Sequence, residues 1–87
     1  MQKIEIVLKN ETGLHARPAS LFVKEATKYT AEIKVIKDEK EYNAKSIIDI
    51  LSMGAAKGDS LAIKADGEDE KEAVIALKEL IERNFDE

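Results

Sequence analysis

Residues 4–26 read IEIVLKNETGLHARPASLFVKEA, and the spacing of their apolar residues changes partway along. In the first part, Ile4, Ile6 and Leu8 alternate with other residues, which predicts a β-strand with one buried face. From about Ala16 onward, apolar residues recur at three- and four-residue spacing, which predicts a helix whose buried face holds Ala19, Phe22, Val23 and Ala26. We expect this helix to end near residues 29–30. The fold therefore begins with a strand that leads directly into a helix.

The rest of the chain continues this alternation of strands and helices. Residues 32–35 and 40–43 alternate again and predict a hairpin joined by KDEK, a turn without the usual Gly or Asn. Residues 46–54 predict a short helix, residues 60–66 a strand, and residues 69–84 a helix with one apolar stripe. The order is β-α-β-β-α-β-α. Polar residues alternate along the strands, which favours an α+β fold with an antiparallel sheet and helices on one face.

Length and composition limit the classes of function. The 87 residues are enough for a single domain, which we expect to span residues 1–87. The chain has no cysteine and one histidine, so a tetrahedral zinc site of the usual kind is not expected. A formal net charge of -4 argues against nucleic acid or an anionic membrane as the main partner. Residues 1–10 show a strand pattern and not a signal peptide, and we expect a cytoplasmic protein.

The segment around His15 combines residues that are rare in this chain. The only histidine, His15, the only proline, Pro18, and Arg17, one of two arginines, lie within four consecutive positions. A helix that begins after His15 leaves first-turn backbone N–H groups without partners, and Pro18 fits there because it has no N–H to leave unpaired. Together with the helix dipole, the helix start at Ala16, Arg17 and Pro18 predicts an anion site. Arg17 adds a permanent positive charge suited to phosphate.

An imidazole beside an anion site suggests acceptance of a phosphoryl group. A ring nitrogen of neutral histidine is a nucleophile, and the helix start would hold the charged product. A hydrolase built on the nearby Ser20 would also need a positioned carboxylate and an oxyanion hole. No glycine-rich phosphate loop is present, which argues against nucleotide binding. We expect no cofactor and no metal.

Ser46 marks a second possible site. It lies directly before the predicted short helix and three residues before Asp49, so it is predicted to be an N-cap, with Asp49 completing a capping box. A phosphorylation site at Ser46 is compatible with that role. The helix itself is unusually apolar, and a helix packed on a sheet buries only about half of its circumference. Some of its apolar residues, Ile47, Ile48, Ile50, Leu51 and Met53, must therefore be exposed for docking.

The segments TGLHARPAS and AKSIIDILSMGAAKGD, residues 12–20 and 44–59, resemble the two signatures of the HPr family. These proteins are histidine-containing phosphocarriers of the bacterial phosphoenolpyruvate-dependent sugar phosphotransferase system, and the resemblance covers the whole chain. It implies an open-faced β-sandwich with a four-stranded antiparallel sheet in the order 1-4-2-3 and three helices on one face. It also implies a carrier and not an enzyme: His15 would accept phosphate on Nδ1 with help from Arg17. His15 distinguishes the chain from Crh-type relatives, which lack it.

The resemblance also implies partners. His15 would receive phosphate from enzyme I and pass it to the EIIA components of sugar permeases in sugar transport, while catabolite repression would act through Ser46. The residues that match the family's docking surface are Lys24, Ile47, Ile48, Leu51, Ser52 and Gly54. Ser46 would be the target of the ATP-dependent HPr kinase/phosphorylase, and the Ser46-phosphorylated form would bind the catabolite control protein. We expect a monomer.

Two other functions stay open from the sequence. The chain could be a regulatory binding module that acts mainly through phosphorylation of Ser46, or a carrier in the parallel nitrogen-linked phosphotransfer branch. An inert structural domain would leave the grouping of His15, Arg17 and Pro18 as a coincidence.

Overall fold

The computed structural model describes residues 1–86 and contains four strands and three helices, followed by a short 3₁₀ turn at Asn84–Asp86. The strands are β1 (Gln2–Val7), β2 (Glu32–Lys37), β3 (Lys40–Asn43) and β4 (Ser60–Asp66). The helices are α1 (Ala16–Ala26), α2 (Ile47–Ser52) and α3 (Glu70–Glu82). This is the predicted element order, and the predicted bounds of β3 and β4 match those observed.

The strands form one antiparallel sheet in the order β1-β4-β2-β3, as the family resemblance implied. Ile4 pairs with Ile63, and Ile63 pairs with Val35, so one row of apolar residues crosses three strands. These side chains and the apolar faces of the helices form the core, while alternate positions such as Lys3, Lys64 and Lys34 form the polar face. The predicted α+β fold, with three helices against one face of the sheet, is confirmed.

Helix α1 ends earlier than predicted. It ends at Ala26, whereas its apolar spacing predicted an end near residues 29–30. The Thr27 hydroxyl donates to the carbonyl of Lys24 at 2.8 Å, and the N–H groups of Lys28 and Tyr29 donate to carbonyls three residues back. Bonds of this spacing tighten the last turn into a 3₁₀ form that cannot continue as an α-helix. The buried residues Ala19, Phe22 and Ala26 nevertheless lie on the predicted face.

Asp69 joins the start of α3 to the start of β2. Its two carboxylate oxygens accept hydrogen bonds from the N–H groups of Thr30 and Ala31, each at 2.8 Å. The Thr30 N–H, and then that of Ala31, lower the pKa of this carboxyl below its usual value. Asp69 precedes the helix as its N-cap residue, but its side chain is used for this longer-range contact and makes no cap hydrogen bond.

The apolar stripe predicted for α3 is buried, and the chain then turns back on itself. Ala73, Val74, Leu77, Leu80 and Ile81 are all buried. The helix ends at Glu82, two residues before the predicted end, because Asn84 and Phe85 adopt positive φ angles of 53° and 57°. These angles reverse the chain, and Phe85 is fully buried in the core.

The β2–β3 hairpin uses a two-residue turn with unfavourable residues. Asp38 and Glu39 have φ angles of 52° and 69°, the pair of left-handed conformations that such a turn requires. Neither is glycine, and a side chain in this conformation costs about 1–2 kcal/mol. The register of the hairpin, with Lys37 opposite Lys40 and Val35 opposite Tyr42, holds this turn in place.

Replacing Glu39 with glycine should therefore stabilise the protein. We expect Glu39→Gly to raise the free energy of unfolding by about 0.5–1 kcal/mol, since relief of the left-handed strain exceeds the entropic cost of glycine. Glu79→Gly, the same change on the exposed face of α3, should lower it by about 1 kcal/mol. Denaturant unfolding of both variants measures the difference. Equal destabilisation by the two substitutions would contradict this account of the turn.

Candidate functional site

His15 lies at the start of α1, exposed to solvent. It is the N-cap residue, with extended backbone angles (φ -91°, ψ -167°), and its carbonyl accepts the N–H of Ala19 at 2.8 Å. Its imidazole does not cap the helix. Within residues 1–86, the ring makes no hydrogen bond or ion pair. The side chain is therefore free to react with a partner molecule, whereas its backbone is held by the helix.

The first turn of α1 has the character predicted for an anion site. Among the described residues, the N–H groups of Ala16 and Arg17 have no hydrogen-bond partner, and the buried Pro18 has no N–H at all. The N–H of Ala19 is already bonded to His15. Two backbone donors are thus available at the helix start. The turn contains no acidic residue, and the exposed Arg17 side chain forms no ion pair in the described part of the chain.

The loop before His15 packs closely against the segment that follows α2. The N–H of Leu14 donates to the carbonyl of Ala55 at 3.0 Å, and a Cβ on Gly13 would lie 2.5 Å from the same oxygen. Gly13 also has a φ of 59°, where side chains are strained. The contact places the His15 corner beside the end of α2.

Charged groups reinforce this contact between the two loops. Lys57 Nζ donates to Glu11 Oε1 at 2.8 Å, and this hydrogen bond and ion pair lower the pKa of the Glu11 carboxyl below its usual value. The Leu8 N–H donates to the carbonyl of Asp59 at 3.0 Å, and the N–H of Gly58 donates to the carbonyl of Leu8 at 2.8 Å. The exposed Glu11–Lys57 pair contributes little by itself, so the backbone hydrogen bonds are the main link.

A shallow depression connects His15 with α2. It is lined by Leu14, His15, Leu51, Gly54 and Ala55. Three apolar side chains of α2 are exposed: Ile47 by 37%, Ile48 by 76% and Leu51 by 45%. We call these three residues the apolar patch. The other two apolar residues of this segment, Ile50 and Met53, are buried against the core.

The remaining predicted docking residues are also at the surface. Lys24, in the last turn of α1, is exposed, and so are Ser52 and Gly54 at the end of α2. The Ser52 hydroxyl donates to the carbonyl of Asp49 at 2.8 Å. Gly54 has a φ of 65° and open space around its Cα, so its conformation alone favours glycine there.

Ser46 caps α2, but the predicted capping box is incomplete. Its Oγ accepts the N–H of Asp49 at 3.2 Å, as expected for an N-cap. The Asp49 carboxylate does not return to the Ser46 N–H and instead accepts the N–H of Asn43 at 3.0 Å. The Ser46 N–H donates to the carbonyl of Asn43 at 3.1 Å. The reciprocal half of the box was therefore predicted wrongly, because the end of β3 lies within reach of Asp49.

Two residues of the site were not singled out from the sequence. Leu14 and Ala55 meet beside His15, although they are 41 positions apart by their numbers, and only the folded chain brings them together. The close approach of Gly13 to Ala55 was not predicted either. The small side chains of Ala55 and Ala56 are the one local hint that another backbone segment packs there.

Residues 1–86 contain no cluster of three or more His, Cys, Asp or Glu side chains that could hold a metal ion. In the same residues, no helix has the length and apolar character needed to cross a membrane.

Comparison with known proteins identifies the family. Residues 2–83 match the family model described as PTS HPr component phosphorylation site. The chain belongs to the HPr family. Phosphocarrier protein HPr of Mycoplasma genitalium is 45% identical over 85 residues, which are 97% of each chain. The crystal structure of HPr-C-His from Thermoanaerobacter tengcongensis superposes with a TM-score of 0.98 at 50% identity, covering 100% of this chain and 98% of that one. HPr proteins are phosphocarriers of the phosphotransferase system.

One HPr relative differs from our expectation about oligomeric state. The HPr dimer of Thermoanaerobacter tengcongensis is 50% identical and has a TM-score of 0.81, covering 100% of both chains. The expectation of a monomer does not match this dimeric relative.

The contact between Gly13 and Ala55 gives a test of how the site is built. We expect Gly13→Ala to lower the free energy of unfolding by about 2 kcal/mol or more, because backbone strain and overlap with Ala55 add. Gly54→Ala meets no neighbouring atom and should cost about 1 kcal/mol from strain alone. Denaturant unfolding of the two variants compares them. Equal costs would show that the close approach contributes nothing.

Proposed function

We propose that this HPr-family chain carries a phosphoryl group on His15 between enzyme I and the EIIA components of sugar permeases, in the cytoplasm. The phosphorus–nitrogen bond of a phosphohistidine on enzyme I breaks as Nδ1 of His15 forms the new one, and the donor imidazole keeps the electron pair. The reverse exchange on EIIA unloads the carrier. The chain is then an intermediate in phosphotransfer and not an enzyme.

The observation that supports this proposal most strongly is the set of hydrogen-bond donors beside His15 at the start of α1. An exposed imidazole adjoins the backbone N–H groups of Ala16 and Arg17, which have no partner within residues 1–86, and that turn contains no acidic residue. These donors and the positive end of the helix dipole favour a phosphoryl group over a neutral ligand. Arg17 adds a charged donor on the same exposed turn.

Incubation with enzyme I and radiolabelled phosphoenolpyruvate tests the proposal. We expect one acid-labile, alkali-stable phosphate per chain in the wild type and none in His15→Ala. Arg17→Ala should still be labelled, but about tenfold more slowly, because the phosphate loses one charged donor. Absence of label in the wild type, or label that persists in His15→Ala, would remove the carrier proposal.

We further propose that the apolar patch and its neighbours Lys24, Ser52 and Gly54 bind both partners. Leu51 of the patch lines the same depression as His15, and the three side chains of the patch belong to one short helix. An exposed apolar cluster beside a reactive side chain is suited to transient docking, with Lys24 meeting acidic groups at its edge. A partner bound there can reach His15 without entering a deep cavity.

Ile48, the most exposed residue of the apolar patch, offers a direct test of docking. We expect Ile48→Ala to raise the KM of enzyme I for this chain about tenfold, since contact area is lost, and to leave the free energy of unfolding almost unchanged. Ile75→Ala is a matched control, because Ile75 is 47% exposed but lies on α3. A KM unaffected by Ile48→Ala, or raised equally by Ile75→Ala, would place docking elsewhere.

A second proposed role is regulation at Ser46. This residue starts α2, where an added phosphate would lie at the positive end of the helix and next to the apolar patch. Phosphorylation by an ATP-dependent HPr kinase/phosphorylase would then alter which partners dock, including the catabolite control protein. Labelling from ATP with that kinase should give an acid-stable phosphate that is lost in Ser46→Ala but kept in Ser52→Ala. Failure to label the wild type would leave Ser46 as a helix cap only.

A further inference from the structure

Asn10 is the buried polar residue at the base of the loop that leads to His15. It is only 5% exposed, although asparagine is usually at the surface. Its side-chain nitrogen donates to the carbonyl of Gly13 at 2.8 Å and to the hydroxyl of Thr12 at 3.1 Å. The main-chain carbonyl of Asn10 accepts a hydrogen bond from the Gly13 N–H at 3.1 Å. Backbone and side chain of Asn10 thus both hold the turn of residues 10–13.

The turn held by Asn10 fixes the residues that follow it. It places Gly13 at a φ of 59°, against the carbonyl of Ala55, and directs Leu14 into the core, where it is 2% exposed. His15 is the next residue and begins the helix. One side of the loop is therefore held by the Asn10 amide and the other by the segment after α2. Between them, the backbone that carries the imidazole has little freedom.

We propose that Asn10 is a positioning residue for phosphoryl transfer at His15, an inference that rests on the function proposed above. Asn10 touches neither the phosphate nor a partner. Its amide donors keep the Gly13 carbonyl in place and so hold the backbone that carries the His15 ring and the N–H groups of Ala16 and Arg17. Removing these donors loosens the loop and misaligns the nucleophile with the groups that receive the phosphate. Misplacement by about 1 Å is enough to slow a reaction many-fold.

Asn10→Asp is the informative substitution, because it keeps the shape of the side chain but replaces the amide donor with an acceptor. Asn10→Ala removes the donor without adding charge. If the aspartate variant does not fold at the assay temperature, the alanine variant is used to test the positioning role. Asp69→Asn is the control for lost stability, since it weakens the contact between α3 and β2 and leaves the His15 loop unchanged.

Two rates separate positioning from docking. The first is phosphorylation of His15 by potassium phosphoramidate, in which the phosphoryl group moves to the imidazole and ammonia leaves, without any protein partner. The second is turnover with enzyme I, resolved into kcat and KM. We expect the Asn10 variants to lower the phosphoramidate rate and kcat about tenfold, with less than a twofold change in KM, because the apolar patch is untouched. Asp69→Asn should keep wild-type values of both.

Hydrogen exchange at the Leu14 N–H, which bonds to Ala55, reports the loop directly and needs no phosphate. We expect faster exchange in the Asn10 variants and wild-type exchange in Asp69→Asn. Wild-type rates of phosphorylation in both Asn10 variants, or equal slowing by Asp69→Asn, would overturn the positioning role. A wild-type protein that takes no phosphate on His15 would instead overturn the proposed function, and Leu14 exchange would still decide whether Asn10 holds the loop.

Discussion

The close approach of Gly13 to the carbonyl of Ala55 determines where the His15 corner of this protein lies. There is no room for a Cβ at this point, and the neighbouring Leu14 N–H completes the contact with a hydrogen bond to the same oxygen. The loop that carries His15 is therefore fixed to the segment that ends α2. As a result, His15 from one part of the chain and Leu51, a residue of the apolar patch, from another line one depression.

The start of α1 then gives that surface its chemical character. A helix that begins at Ala16 has to leave early N–H groups unpaired, and Pro18 limits how many of them there are. These unpaired N–H groups are the donors that would hold the proposed phosphoryl group. A domain of 87 residues has a small core and little room for a deep cavity. A helix terminus at the surface can form an anion site without such a cavity. Chemistry at the surface also suits a carrier that meets two partners in turn.

Local patterns were sufficient to predict the order of the elements, and they singled out His15 as the candidate site. The alternation in β3 and β4 gave their bounds, and the apolar stripe of α3 gave its buried face. The strand order came from the resemblance to HPr proteins and not from periodicity. The features that these patterns did not predict depend on side-chain contacts. The Thr27 hydroxyl contributes to the early end of α1. The Asp69 carboxylate accepts hydrogen bonds from residues nearly forty positions away. Such contacts depend on the folded chain and leave no local signal.

The exposed face of α2 shows the same limit. Five residues in α2 and directly after it are apolar and lie close together in the sequence. Their spacing alone could not decide which of them face solvent. The packing of Ile50 and Met53 against the core leaves Ile47, Ile48 and Leu51 outside. The positive φ angles at Asp38 and Glu39 were equally hidden, because the turn lacks the glycine or asparagine that usually marks such angles.

The most direct test of the central claim, that the start of α1 is the phosphate site, is an amide proton–nitrogen NMR spectrum recorded before and after phosphorylation of His15. Donation to phosphate should move the N–H protons of Ala16 and Arg17 strongly downfield, while the N–H of Ala19, already bonded to the His15 carbonyl, moves little. Phosphorylation of His15 that leaves the Ala16 and Arg17 amides unchanged would contradict the account.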